Sequence, residues 1–190
     1  VGGGTGMVSF GFKGGIGTSS RVLDPDEGSY TVGVLVMTNV GDCRDLRVDG
    51  LPVGRELVPF STEARARYGS IIAVIATDAP LSSHQIARLC KRVGLGIGRV
   101  GSYAAHGSGE IVLGFSTANC IPRKAAARTF TLLSLVDDAM NPLYQAAIEA
   151  TEEAVLNALF AGSTTTGHSG HVVPGLPVDE LVSRWKDARG

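Results

Sequence analysis

Apolar residues in this chain recur with two different spacings, which predict strands in some stretches and helices in others. The stretches 30–41 and 70–80 are nearly continuous apolar runs, typical of strands that are covered on both faces. The stretch 111–119 has the same character and predicts another strand. In the glycine-rich start, 1–23, glycine permits the backbone angles of tight turns, so this part predicts a strand, a turn and a strand.

Helical spacing follows the later strands. Within 81–101, apolar residues recur every three or four positions behind a candidate cap at Ser82 or Ser83, which predicts an amphipathic helix lying on a sheet. The stretch 129–162 predicts a long helical region in two parts. The second part should begin at Pro142, because proline is favoured in the first turn of a helix.

The remaining patterns complete an α+β fold. The stretch 178–188 predicts a short final helix, and the polar stretch 61–69 predicts a helix-compatible connector. Asp49-Gly50, between β-forming residues, predicts a hairpin turn. Because strands and long helices occur in separate blocks, we expect helices to cover a mostly antiparallel sheet.

Length, charge and composition restrict the class of protein. The 190 residues predict one domain spanning 1–190, and 44% hydrophobic with 18% charged residues is ordinary for a globular protein. A formal net charge of −1 gives no reason to expect a nucleic acid or an anionic membrane as partner. Apolar runs are shorter than the roughly 18 residues of a membrane span. The chain starts Val-Gly-Gly-Gly, without methionine or a signal-like segment, which predicts that a preceding part has been removed.

Neither the cysteines nor the histidines predict a cofactor or a metal. Cys43, Cys90 and Cys120 are odd in number and lack C-x-x-C spacing, which predicts buried thiols in a reducing, cytoplasmic compartment. His168 and His171 have a spacing that suits a metal, but no carboxylate lies nearby in the sequence. The glycines form neither G-x-G-x-x-G ahead of a helix nor a G-K-[ST] ending, so they favour turns over a phosphate cradle.

Gly69 and Ser70 form a polar junction in front of a buried strand. One interpretation is chemical: the Ser70 hydroxyl attacks its own peptide bond, and hydrolysis of the resulting ester leaves Ser70 as a new N-terminus. Its free α-amine, with a reference pKa of about 8, then serves as a base beside the hydroxyl. The other interpretation is that Ser70 is an ordinary turn residue opening a strand.

Two further clusters have chemical potential. In the segment "HGSGE", Ser108 and Glu110 point the same way if the segment is extended, and they then share one site. The alternative is a glycine-rich loop with a solvated glutamate. Asn39, at the end of an apolar strand in "TNVGD", is suited either to donate to an oxyanion or to form a turn.

Several blocks, taken in order, resemble one known family. The blocks "GGGTGM", "FKGGIGTSSR", "YTVGVLV", "GSIIAVIATDAPL", "GSGEIVLGFSTAN" and "TTTGHSGH" are similar to the DmpA-type aminopeptidases, also called β-aminopeptidases or L-aminopeptidase/D-esterases. The resemblance covers essentially the whole chain. It implies an αββα sandwich like that of N-terminal nucleophile hydrolases, with different connectivity.

The resemblance also assigns roles to the residues singled out above. It implies autocleavage at Gly69-Ser70, with 1–69 the end of an α-subunit and 70–190 the β-subunit. Ser70 would be the nucleophile, Ser108 and Glu110 catalytic, and Asn39 the oxyanion donor. Whether the base is the Ser70 α-amine or the Ser108/Glu110 pair stays open.

The function implied is an autoprocessed serine aminopeptidase or amidase. Its substrates would be small peptides, amino-acid amides or esters, its partner its own α-subunit segment, and its assembly a homo-oligomer without a cofactor. An acyl transferase of the ornithine acetyltransferase kind is an alternative, against which Ser70 counts because threonine is expected there. A binding or assembly protein that has kept the fold without activity is a third hypothesis.

Overall fold

A computed structural model of the protein describes residues 3–61, 69–124 and 127–187. The strands in these ranges are β1 (Val8–Ser9), β2 (Phe12–Lys13), β3 (Ile16–Val22), β4 (Thr31–Asn39), β5 (Ser70–Thr77), β6 (Gly109–Ser116), β7 (Thr165–Thr166) and β8 (Val172–Val173). The helices are α1 (Gly54–Leu57), α2 (Ser83–Arg99), α3 (Asn141–Phe160) and α4 (Val178–Asp187). Of the connector predicted over 61–69, residues 62–68 lie outside the described residues.

The central sheet has four strands in the order β3-β4-β5-β6. The first two neighbouring pairs are antiparallel, and β5 and β6 are parallel. A parallel pair needs a crossover connection, which α2 provides here. The expected mostly antiparallel sheet covered by helices is therefore confirmed.

Local signals fix where α2 begins and which side it buries. The Ser82 Oγ accepts from the Gln85 backbone N–H at 3.3 Å, while the Gln85 Oε1 accepts from the Ser82 N–H at 3.0 Å. This reciprocal pair is a capping box, so Ser82 and not Ser83 is the cap. The buried side of the helix carries Leu89, Val93 and Ile97.

α3 is the second helix on the same side of the sheet, and it begins with Pro142 in its first turn as predicted. It packs against β3, β4 and α2. Its small residues Ala150 and Ala154 are fully buried, and a Cβ at Gly17 of β3 would collide with the Ala154 carbonyl oxygen. Helix and strand backbones approach this closely only because the contact residues are small.

The opposite face of the sheet is open. Its large apolar side chains are exposed: Leu35, Ile72, Ile111, Leu113 and Phe115. Because side chains alternate along a strand, these residues lie opposite those that face α2 and α3. The four-stranded sheet and the helices α2 and α3 thus form one sheet layer and one helix layer, two of the four layers expected of an αββα sandwich.

The prediction of a helix over the first part of 129–162 is wrong. Residues 129–136 are irregular, and a 3₁₀ turn over Asp137–Met140 leads into α3. The Asn119 side chain exchanges two hydrogen bonds of 2.9 Å with the Leu133 backbone, and the Leu135 N–H donates to the Pro80 carbonyl at 2.8 Å. These tertiary contacts take the backbone groups that a helix would have used.

Three smaller expectations are corrected. β6 ends at Ser116, three residues before the predicted end of that strand. Asp49 and Gly50 form the predicted turn with positive φ of 51° and 76°, but it closes one isolated bridge and no hairpin. Of the cysteines, only Cys43 is buried; Cys90 is half-buried and Cys120 is exposed.

Among the described residues, no helix is long and apolar enough to cross a membrane.

Candidate active site

Strand register brings two of the predicted site residues together. Asn39 pairs with Ser70 across β4 and β5, and Ser70 pairs with Gly109 across β5 and β6. Paired residues project to the same face of a sheet, with Cβ atoms about 4.5–5.5 Å apart. The Asn39 and Ser70 side chains therefore lie side by side at the end of the open face.

The orientation of the Asn39 amide follows from its hydrogen bond. The backbone N–H of Val8 donates to Asn39 Oδ1 at 3.1 Å. Because a backbone N–H only donates, the atom facing Val8 must be the amide oxygen. The Nδ2 group, with its two N–H donors, is then left on the other side of the amide for an external acceptor.

Ser108 and Glu110 form a second polar pair at the same end of the sheet. The Ser108 Oγ donates a hydrogen bond to Glu110 Oε1, so the two side chains do point the same way. Glu110 pairs with Ile71, which is buried beneath the helices. The pair thus approaches the Gly69–Ser70 junction from the helix side, whereas the Ser70 side chain projects to the open face.

Gly109, which pairs with Ser70, leaves room for the Ser70 hydroxyl on the open face. A Cβ at Gly109 would lie 3.7 Å from Ser70 Oγ, in van der Waals contact with it. Any larger side chain at this position would therefore cover one side of the hydroxyl. The glycine keeps that approach to Ser70 open.

A pocket of about 420 Å³ opens beside the junction. Gly69 and Ser108 form part of its wall, and the rest comes from 40–42 and the turn between α2 and β6: Val40, Gly41, Asp42, Gly101, Ser102, Tyr103, Ala105 and His106. This volume is within the range of about 300–1,000 Å³ that is typical of small-molecule sites. The site therefore has space for a small ligand next to the peptide bond before Ser70.

The pocket is also lined by three polar residues that the sequence patterns did not single out: Asp42, Tyr103 and His106. Their signals in the sequence are weak, because Asp42 only ends the segment "TNVGD" and the other two lie in the turn-rich stretch before β6. The segments 40–42 and 101–106 are distant in the sequence and meet only on folding. A hydrogen bond near both of them, from the Arg47 N–H to the Val100 carbonyl at 3.0 Å, holds them together.

Gly69 is required by packing. A Cβ there would lie 2.7 Å from the Asn39 carbonyl oxygen and 2.8 Å from Val40 Cα. Both distances are shorter than those at which Cβ atoms approach other non-bonded atoms in proteins. The strand end at Asn39 therefore runs directly against Gly69. This contact fixes the Gly69–Ser70 peptide bond relative to Asn39.

Cys43, His168 and His171 do not line this pocket. Burial raises the pKa of the Cys43 thiol, whose Sγ donates to the Gly54 carbonyl at 3.4 Å, so it is kept protonated. His168 and His171 are exposed around a 3₁₀ turn. Within the described part of the chain, no three His, Cys, Asp or Glu side chains are grouped to hold a metal ion.

Comparison with known proteins identifies close relatives. The chain is 45% identical to the beta-peptidyl aminopeptidase BapA of Sphingosinicella microcystinivorans, over all of this chain and 51% of that protein. It is 42% identical to a Burkholderia sp. beta-aminopeptidase, with a TM-score of 0.89 over 97% of this chain and 50% of the other.

A third relative is the L-aminopeptidase D-Ala-esterase/amidase from Ochrobactrum anthropi, described as a variant of the Ntn hydrolase fold. The TM-score is 0.86 at 36% identity, over 96% of this chain and 51% of the other. The expected fold class is confirmed by these matches. The chain spans about half the length of the curated relatives it matches.

The family is established by a match along most of the sequence. The model of Peptidase family S58 matches residues 1–173. This range includes β1 to β8 and every site residue described above. The family resemblance inferred from the sequence blocks is thereby confirmed, and the chain belongs to Peptidase family S58.

Proposed function

We propose that this chain carries the catalytic centre of an N-terminal serine aminopeptidase, which cleaves itself between Gly69 and Ser70. The observation that carries the proposal is the row of Asn39, Ser70 and Gly109 across three adjacent strands. It places a serine hydroxyl beside a side-chain amide donor, at a glycine-serine peptide bond that borders a pocket. The hydrogen-bonded Ser108–Glu110 pair completes the set.

Self-cleavage would proceed in two steps, an N-to-O acyl shift and the hydrolysis of the resulting ester. The Ser70 Oγ attacks the Gly69 carbonyl carbon, the C–N bond to Ser70 breaks, and the nitrogen takes up the hydroxyl proton. Water then hydrolyses the ester, which leaves a carboxylate on Gly69 and both a free hydroxyl and a free α-amine on Ser70. Within this chain, 1–69 would belong to one fragment, as the end of an α-subunit, and 70–190 to the other.

Turnover uses the same groups. The hydroxyl of the new N-terminal Ser70 attacks the carbonyl of a substrate's first residue, and the Asn39 Nδ2 donates to the tetrahedral oxyanion. Collapse expels the leaving amine or alcohol and forms an acyl-enzyme, which water hydrolyses. An α-amine with a reference pKa of about 8 is suited to take the hydroxyl proton near neutral pH.

The Ser108–Glu110 pair is proposed to act on the backbone nitrogen of Ser70, and not on its hydroxyl. The pair approaches from the helix side and Ser108 shares the pocket with Gly69, while the Ser70 hydroxyl is on the open face. We infer that the Glu110 carboxylate, through Ser108, stabilises positive charge that develops on the Ser70 nitrogen. The α-amine is then the base and the pair its support.

The open face is proposed to receive the rest of the sandwich. Leu35, Ile72, Ile111, Leu113 and Phe115 form an apolar surface that suits a second sheet. Because this chain covers about half of its relatives' length, the remaining residues of a longer protein are the proposed source of that sheet.

The proposed substrates are small peptides, amino-acid amides or esters with a free N-terminal amine. The relatives named beta-peptidyl aminopeptidase and L-aminopeptidase D-Ala-esterase/amidase support hydrolysis over acyl transfer. Retention of Ser70, Ser108, Glu110 and Asn39 counts against an inactive protein. The cytoplasmic location and the homo-oligomer stay predictions.

Intact-mass spectrometry with N-terminal sequencing of the full-length protein tests the proposal. A fragment beginning Ser-Ile-Ile-Ala, together with hydrolysis of aminoacyl p-nitroanilides, is the expected result. A single chain after prolonged incubation that hydrolyses no member of a panel of amides and esters would refute it.

Gly69→Ala is expected to slow self-cleavage roughly 10²-fold, the typical effect of a displacement of about 1 Å at a reacting group. The added methyl would lie 2.7 Å from the Asn39 carbonyl oxygen, so the backbone must shift. Gly98→Ala on α2 is the control, because a Cβ there meets nothing within 4 Å. The half-time of fragment appearance on gels measures the effect, and equal half-times for both variants would contradict it.

Glu110→Gln is expected to lower kcat roughly 10²–10⁴-fold, the usual contribution of a group that assists proton transfer. Glutamine keeps the side-chain length and an acceptor for Ser108 Oγ but removes the charge. Glu27→Gln, at an exposed position, is the matched control. If steady-state turnover and self-cleavage are both unchanged in the variant, the Glu110 carboxylate has no role in either reaction.

A further inference from the structure

Lys13 is a buried ammonium with an unusual set of partners. Only 8% of the residue is exposed, and its Nζ donates to three backbone carbonyls: Gly4 at 2.9 Å, Met7 at 3.1 Å and Gly14 at 2.5 Å. Burial lowers the pKa of this ammonium. A buried charge is costly unless its donors are satisfied, and here the three donors of the ammonium match three acceptors.

Two of those acceptors, the Gly4 and Met7 carbonyls, belong to a short loop, 4–7. Gly4 adopts a φ of +88°, and the Met7 N–H returns to the Gly4 carbonyl at 3.1 Å. The Met7 carbonyl also accepts from the Gly14 N–H at 3.0 Å. Lys13 therefore ties both ends of the loop to β2 through one side chain.

The residue that follows this loop is Val8, which holds the Asn39 amide. Val8 pairs directly with Lys13 between β1 and β2, and its N–H donates to Asn39 Oδ1 at 3.1 Å. The next residues are fixed separately, since Phe10 N–H donates to the Val40 carbonyl at 2.8 Å. The position of Val8 thus depends on the loop before it and on the β1 pairing of which it is part.

We propose that Lys13 is a positioning residue for the Asn39 amide: by holding the 4–7 loop, its ammonium aims the Val8 N–H at Asn39 Oδ1 and so directs Nδ2 toward the oxyanion. The catalytic consequence rests on the function proposed above. Lys13 touches no reacting atom, so it should affect turnover through Asn39 alone. Loss of the ammonium would allow the amide to rotate or drift.

The test compares Lys13→Met with Lys91→Met in the full-length protein. Both remove an ammonium and keep a long apolar side chain, but Lys91 is exposed on α2. Hydrogen–deuterium exchange should show Val8 exchanging roughly tenfold faster in K13M, as expected for the loss of about one hydrogen bond's free energy, and unchanged in K91M. K13M should fold, because β1 keeps its own backbone hydrogen bonds. If K13M does not fold, K13Q replaces it in the exchange and kinetic measurements, because glutamine removes the ammonium charge but retains two N–H donors.

Kinetics separates positioning from general support of the fold. K13M should lower kcat roughly 10–100-fold with KM little changed, because a misaimed donor affects the transition state. In an Asn39→Ala background, K13M should cause no further loss, since the group through which it acts is gone.

Three results decide the matter. Unchanged exchange at Val8 overturns the proposal, and so does an equal loss of kcat in the wild-type and Asn39→Ala backgrounds. Faster exchange in K13M, in a full-length protein that itself neither cleaves nor hydrolyses, would refute the proposed function while supporting the hold of Lys13 on Val8.

Discussion

Ser70→Ala is expected to abolish self-cleavage of the full-length protein and to reduce hydrolysis by roughly 10⁶-fold, the scale seen when a catalytic nucleophile is removed. Alanine keeps the strand and the register with Asn39 and Gly109 but removes the attacking oxygen. Without attack on the Gly69 carbonyl, the peptide bond stays intact. The α-amine that would act as base then never forms, so one substitution removes both groups. Intact mass and p-nitroanilide release measure the two effects.

Two variants control this experiment. Ser83→Ala replaces an exposed serine in the first turn of α2 and should leave both activities unchanged. Ser70→Cys keeps a nucleophile at the same position and should still cleave, since a thiolate attacks the same carbonyl. Fragments from Ser70→Ala with unchanged timing would show that the hydroxyl is not the attacking group.

Asn39→Ala is expected to lower kcat roughly 10²–10³-fold, which is the measured scale for loss of one oxyanion donor. KM should change little, because the donated hydrogen bond strengthens only as charge develops on the carbonyl oxygen. Self-cleavage should slow as well, since it passes through the same kind of tetrahedral intermediate. Steady-state kinetics on an aminoacyl amide separates the two parameters.

Asn39→Asp sharpens this prediction. Aspartate keeps an oxygen for the Val8 N–H but replaces the donor with a negative charge facing the oxyanion, so it should be at least as impaired as alanine. Asn157→Ala, on the exposed side of α3, is the matched control. A rise in KM at constant kcat would assign Asn39 to substrate binding.

Other parts of the site and fold were visible in short stretches of sequence. The serine cap of α2, which the sequence placed at Ser82 or Ser83, and the position of Pro142 in the first turn of α3 follow from local backbone chemistry, which depends on neighbouring residues alone. The shared direction of Ser108 and Glu110 follows from the period of an extended chain. These features were predictable because the groups that cause them lie within four residues of each other.

Residue patterns alone were enough to predict the class of elements, the α+β architecture and, through the ordered blocks, membership of the family. Folding in three dimensions was needed to place Asn39 opposite Ser70, to turn its Oδ1 toward Val8 across 31 residues of chain, and to keep 129–136 from becoming helical. The physical reason is that cross-strand register and the burial of Lys13 depend on packing between distant segments. Local patterns carry no record of which distant carbonyls or strands will satisfy a given group.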